Sequence, residues 1–222
     1  RFYDFASTST ARQPSDRIAV IAIDDQSIAN LGRWPWQRDV HAKLIDLLAA
    51  AKAKTIAHTV FFFEPQVDPG LVFIRKMKSA LGASSDGNAT NNQIGQLIAE
   101  AEVALDTDAV LAASLKKAGN VLLPSIYVLG EQQGKPDSPL PPFALSSALD
   151  DPKGFSISAT RGQQPIAVVG EAVAGVGHLN PFQDTDGAVR QEPLLVNYFG
   201  KSVPSIALLT AAHSLNLSTA DV

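Results

Sequence analysis

The sequence predicts an α/β fold: a central, mostly parallel sheet extended by antiparallel strands, with helices on both faces. Three observations predict it. Apolar, β-branched runs at 17–24, 55–62 and 121–129 read as strands buried on both faces. Stretches with helical spacing lie between them, and a strand–helix–strand–helix–strand order with right-handed crossovers gives a parallel sheet. Past residue 175 the pattern changes to short apolar runs joined by tight turns, which read as antiparallel strands added to that sheet.

Residues 1–16 are rich in Ser, Thr and Arg and read as a flexible N-terminal segment; 17–222 reads as a single domain. After the first strand, Val40, Leu44, Leu47, Leu48 and Ala51 fall on one apolar helix face, leaving Lys43, Asp46 and Lys54 to solvent or the ends. The second strand closes at Glu64-Pro65. A helix over 71–81 carries Arg75, Lys76 and Lys78, then a Gly, Ser, Asp and Asn tract at 82–92 reads as a surface loop. Helical spacing resumes at 93–104. Asp106 or Thr107 caps a further helix, with Val110, Leu111 and Leu115 inside and Gly119 as its stop. The third strand, 121–129, leads into a Gly/Pro-rich connection at 130–142. Strands at 176–180 and 188–199 are joined through Asp184-Thr185-Asp186-Gly187, whose Asp-Gly favours a tight hairpin turn. Gly200-Lys201 turns again, and Pro204 opens a helix to Leu215 along Ile206, Leu209 and His213.

Composition excludes several functions. A net charge of −4, with 18 Lys and Arg scattered rather than striped, argues against a nucleic-acid partner. The absence of cysteine removes disulfides, thiolate chemistry and Cys-type zinc sites, and suits an oxidising compartment. No window reaches the ~18 consecutive apolar residues that cross a bilayer. The chain opens at Arg1 without a signal-type apolar region and is read as a piece of something longer.

The strand ends gather the chemistry. Asp24-Asp25, Glu64 and Pro124-Ser125 close the three strands, and in open α/β sheets ligands sit at that edge. Both tryptophans lie beside it, in Gly32-Arg33-Trp34-Pro35-Trp36-Gln37-Arg38. The candidate ligand-binding residues are Asp24, Asp25, Arg33, Trp34, Trp36, Arg38, Glu64, His178 and Asn180. Each also has a structural reading. Adjacent aspartates on an extended chain point to opposite faces, so Asp24 and Asp25 serve equally as a cap for a helix at 27–31 or as salt-bridge partners. Rings burying ~150–250 Å² each can pin a loop unaided, with Arg33 or Arg38 pairing to Asp24. His178 stands in an apolar strand and reads as a hydrogen-bonded core histidine or a ligand. The Asp184-x-Asp186-Gly187 stretch is similar to part of a calcium loop, but the register puts Phe182 first and Pro193 twelfth, which leaves a hairpin turn. His41, His58 and His213 lack paired-ligand spacing, Ser125 has no Gly-x-Ser-x-Gly elbow, and no glycine-rich phosphate loop follows the first strand. No catalytic residue, metal site or cofactor is assigned.

Taken in order, several blocks resemble one family. They are Ile18-Ala19-Val20-Ile21-Ala22-Ile23-Asp24; Leu31 to Arg38 with His41; Ala53-Lys54-Thr55-Ile56 into Phe62-Phe63-Glu64-Pro65; Gly177-His178-Leu179-Asn180; Asp184 to Arg190 with Pro193-Leu194; and Pro204-Ser205-Ile206-Ala207. Together they resemble the second type of CHASE domain, the cyclase- and histidine-kinase-associated sensory extracellular module. The Gly-Arg-Trp-Pro-Trp block is the most specific of them. The second strand of such domains commonly carries an aspartate before its apolar end, where this chain has Thr59. The resemblance implies a non-enzymatic sensory domain on the periplasmic or extracellular side, tied to the membrane by flanking helices. It would receive a small-molecule or other extracellular stimulus, with homodimerisation as a further expectation, and feed a cytoplasmic cyclase or kinase. Two rivals are a metal-assisted hydrolase using Asp24, Asp25, Glu64, Asp184 and His178, and a structural dimerisation module.

Overall fold

The computed structural model describes Asp4, residues 15–83, 89–151, 154–218 and Asp221. The expected N-terminal segment, 1–16, lies almost entirely outside them. By internal packing the chain divides into two compact units, Arg1–Trp36 and Gln37–Val222.

In the first unit, α1 (Asp25–Leu31) starts at Asp24, whose carboxylate accepts from Ser27 N at 2.8 Å while Ser27 Oγ pairs with Asp24 N at 2.8 Å. This is a capping box with serine in the usual Glu/Gln place. Gly32 ends the helix at φ +100°, its N–H donating to Ile28 O. The predicted strand at 17–24 does not form: 18–23 joins no ladder, and Ile18 and Val20 are 74% and 88% exposed. An apolar β-branched run becomes a strand only when a neighbour takes its N–H and C=O groups, and here, among the described residues, none does.

The second unit is built on β2 (Val121–Leu129). In chain order the other strands are β1 (Ile56–Ala57), β3 (Leu149–Asp150), β4 (Ile157–Gln163), β5 (Gly175–His178), β6 (Phe182–Gln183), β7 (Val189–Gln191), β8 (Leu195–Tyr198) and β9 (Lys201–Pro204). Seven form one sheet ordered β1-β2-β4-β8-β9-β3, with β5 also on β2; β6 and β7 make a separate two-stranded ribbon. The first half of β2 lies parallel to β1 and β5, and its second half antiparallel to β4. Beyond β4, β8 runs parallel to β4, and β9 antiparallel to β8 and β3.

Helices cover both faces, as expected for α/β. They are α2 (Arg38–Ala50), α3 (Pro69–Ala83), α4 (Ala89–Leu105), α5 (Thr107–Ala118), α6 (Pro142–Leu145), α7 (Ala167–Gly170) and α8 (Ile206–Ser214). Val121 and Leu123 of β2 pack on Ala42 and Ile45 of α2 and on Leu111 and Leu115 of α5. Leu122, pointing the other way, meets Ile206 and Leu209 of α8. Each such fully buried side chain contributes about 1.5–3 kcal/mol relative to exposure. As the sequence indicates, Asp106 caps α5 through Ala109 N and Gly119 closes it at φ +68°. The helices α3 and α4 take both ends of the expected 82–92 loop; its middle, 84–88, lies outside the described residues.

Several elements differ from expectation. The buried face of α2 is His41, Ala42 and Ile45, and Leu47 is 68% exposed; counting apolar residues cannot reveal a histidine that satisfies itself inside. Only Ile56–Ala57 of the second strand joins a ladder, although the alternation continues inward through buried His58 and Phe62. β5 pairs parallel to β2, not antiparallel, because β4 and α7 intervene and return the chain in the same direction. β4 itself has one buried residue, Ala159, and so no apolar signature. Pro193, lacking an N–H, divides the expected 188–199 strand into β7 and β8 in different sheets. The turn expected at Gly200-Lys201 falls at Phe199-Gly200, with Gly200 at φ +86° and Tyr198 paired to Lys201, the first residue of β9, and α8 begins after Ser205, whose Oγ accepts from Leu208 N at 3.1 Å.

The contact between β5 and α8 leaves no room for a side chain at Gly177, where a Cβ would stand 2.8 Å from Ile206 N and 2.9 Å from its Cα. Gly177→Ala should therefore cost about 1–3 kcal/mol through forced separation of helix and strand, seen as a lower urea midpoint at unchanged slope.

Candidate functional site

Arg38, first residue of α2, organises one cluster of the second unit. Its Nε donates to Asp108 Oδ1 at 3.1 Å, its Nη2 to Glu64 O at 3.0 Å, and its guanidinium carbon lies 4.4 Å from the Phe62 ring centroid. Asp108 Oδ2 accepts from Gln66 N at 2.8 Å, and Gln66 Oε1 accepts from both Arg38 N and Thr107 Oγ1. The Arg38 and Asp108 side chains are 12% and 9% exposed. Such a pair is largely removed from water, and neutral groups bond Asp108 Oδ2 and Arg38 Nη2 beside it. Arg38 and Glu64 are thus brought together, but through the Glu64 carbonyl.

Beside this cluster two imidazoles meet. His41 Nδ1 of α2 and His58 Nε2 are 3.1 Å apart, and both rings lie against Phe62 with centroids 5.4 and 5.5 Å away. Burial pushes both to about 4; the Arg38 charge adds to this at His41 while Asp39 opposes it, and His41 adds to it at His58. Sequence spacing did not reveal the pair, since the residues are 17 apart on different elements. The usable signal is alternation: 56, 58, 60 and 62 share one strand face, and His41 stands one turn from Arg38 on α2. Thr59, on the opposite side, is exposed.

His178 and Asn180 belong to another cluster. Asn180 Oδ1 accepts from Tyr127 N and its Nδ2 donates to Tyr127 O, so the amide continues the β2 pairing where β5 ends. His178 is fully buried at the level of Ser125, its register partner, and its Nδ1 accepts from Asn180 N at 3.4 Å. Ser125 Oγ and His178 Nε2 are buried without a hydrogen bond of good geometry. Burial pushes His178 to about 4, with the Leu194 carbonyl opposing, and lifts the Tyr127 phenol to about 12, with Gln164 opposing.

In the first unit Asp24 is the helix cap already described, and the Ser27 hydrogen bonds hold its carboxyl below the usual range. Asp25 and Arg33 are exposed. Trp36 is buried, its Nε1 donating to Gly32 O at 2.8 Å, and Trp34 meets it edge to face at 5.3 Å across a cis Trp34–Pro35 bond. The two rings therefore close a short turn.

The Asp184–Gly187 segment is the expected hairpin turn, with Asp184 N donating to Ala188 O. Its carboxylates are held by Arg190, which donates to Asp184 Oδ2 at 2.8 Å and to both oxygens of Asp186 at 2.8 and 2.7 Å. Among the described residues no group of three or more His, Asp or Glu is arranged to hold a metal ion.

Removing one partner of the Arg38–Asp108 pair leaves a buried charge alone. Asp108→Ala should cost about 3–5 kcal/mol in urea unfolding, and Arg38→Met/Asp108→Leu together should cost clearly less than the two single changes summed.

No curated protein and no solved structure matches the chain. No helix among the described residues is long and apolar enough to cross a membrane. One family model does match, described as the CHASE2 domain, over residues 1–221. CHASE2 domains are sensory domains, not catalytic by themselves, found in receptors with cyclase or kinase outputs and typically extracytoplasmic. Matched over essentially its whole length, the chain belongs to the CHASE2 family.

Proposed function

We propose that this chain is the extracytoplasmic signal-input domain of a transmembrane receptor that controls a cytoplasmic cyclase or kinase. The observation that carries this is the family match across 1–221. In the first unit the stimulus-facing groups of this reading are Asp25 and Arg33, which are exposed, and half-buried Trp34, whose ring meets that of Trp36 edge to face. Rigid aromatic and guanidinium groups of this kind recognise flat or anionic small molecules by stacking and paired hydrogen bonds. Arg38, Glu64, His178 and Asn180 sit in internal clusters of the second unit and enter as groups that hold one arrangement together. To signal, the stimulus must favour one of two arrangements by a few kcal/mol; equal affinity for both transmits nothing.

The test uses the full-length protein. Alkaline phosphatase fused after residue 222 in the natural reading frame, upstream of any following membrane segment, should be active in cells, and β-galactosidase at the same point inactive. Arg33→Ala and Trp34→Ala should abolish the change in output on stimulation and leave the unstimulated level within about twofold. The reverse fusion pattern would refute the location, and an undiminished response in both variants would refute the stimulus-facing role.

A further inference from the structure

The His41–His58 contact joins the start of α2 to residues 58–62. A hydrogen bond between two ring nitrogens needs a proton on one and a lone pair on the other. With both nitrogens protonated there are two cationic donors and no acceptor at 3.1 Å. Surroundings sharpen the contrast. Both rings rest on Phe62, and the Arg38 guanidinium lies over that same ring. Arg38 therefore supplies a permanent positive charge close to the pair. Among the other groups, Asp39 on α2 favours protonation of His41. From α5 come Asp108, held by Arg38, and Lys117, held by Asp46. Glu64 presents its carbonyl to Arg38, and α8, which touches β1, carries His213.

We propose that this pair is an acid-operated latch: a second proton breaks the ring–ring hydrogen bond and releases the first turns of α2 from residues 58–62, making the proton itself a stimulus of the domain. As a stimulus it rests on the receptor reading above; as a latch it stands on the second unit alone. The direction follows from linkage. Each ring titrates near 4 in the closed form and near ~6.5 when free, so the closed form binds fewer protons than the open one. Closure is fully favoured above ~6.5 and weakens as pH falls towards 4.

The test is amide hydrogen exchange on the 222-residue chain between pH ~7.5 and ~4.5, corrected for intrinsic exchange. Wild type should lose at least tenfold protection at 38–45 and 56–62, more steeply than one proton allows, while β2 and β5 stay protected. His41→Asn/His58→Gln should abolish that loss, because amides replace the Nδ1 and Nε2 positions without titrating. His178→Asn should leave it intact. The proposal is overturned if the double variant opens like wild type, if wild type stays closed throughout, or if every element opens together. Should the double variant not fold at pH ~7.5, imidazole NMR titration of wild type decides: two independent transitions near 6.5 would refute the latch, and coupled, depressed ones support it. Because no output domain is involved, a failed receptor reading and a failed latch give different results.

Discussion

The first five residues of β2, Val121 to Ser125, are fully enclosed, and that enclosure governs the second unit. A buried backbone must satisfy every N–H and C=O. One half of the strand does so with β1 and β5, the other with β4 and, where β5 ends, with the Asn180 amide. The apolar side chains of β2 then dictate where helices go: Val121 and Leu123 draw α2 and α5 to one face, Leu122 draws α8 to the other. The close approach of Ile206 to Gly177 follows from the same demand, since α8 must reach the short β5 to cover Leu122.

The polar clusters are consequences of that packing. Bringing α2 and α5 onto one face sets their N-termini side by side, with Arg38 at one and Asp108 at the other. A carboxylate in the first turn of α5 is favoured by the helix dipole, and Arg38 gives it a partner within a nearly dry contact. The residues between β1 and α3 are fastened there through Glu64 O and Gln66. A guanidinium that looks, in sequence, like a ligand-facing group beside two tryptophans is thereby occupied in holding three chain segments.

Legibility in the sequence followed signal type. Local chemistry was readable: the Asp24 and Asp106 caps, the Gly119 stop and the 184–187 turn all depend on a few neighbouring residues. So were strands with continuous apolar runs and a buried partner, such as β2. What failed depended on distant neighbours. The run at 18–23 has the composition of a strand but no ladder, while β4 has a ladder but only Ala159 buried. His41 and His58 became a pair only because α2 lies where 58–62 emerges, a fact no spacing rule contains. The Trp34-Pro35-Trp36 segment reads in sequence as either a loop clamp or a ligand-stacking surface, and its rings meet edge to face with Trp36 donating to Gly32 O.

The turn after β6 has an electrostatic consequence of its own. Arg190 is 14% exposed and bonded to both carboxylates, so the loop carries an internal counter-ion. A divalent ion arriving there would have to displace a guanidinium and would still find far fewer than the six to eight oxygens calcium prefers. The ribbon should accordingly keep its shape whether chelator or calcium is added, and respond instead to ionic strength, which weakens pairs whose acidic partners face water.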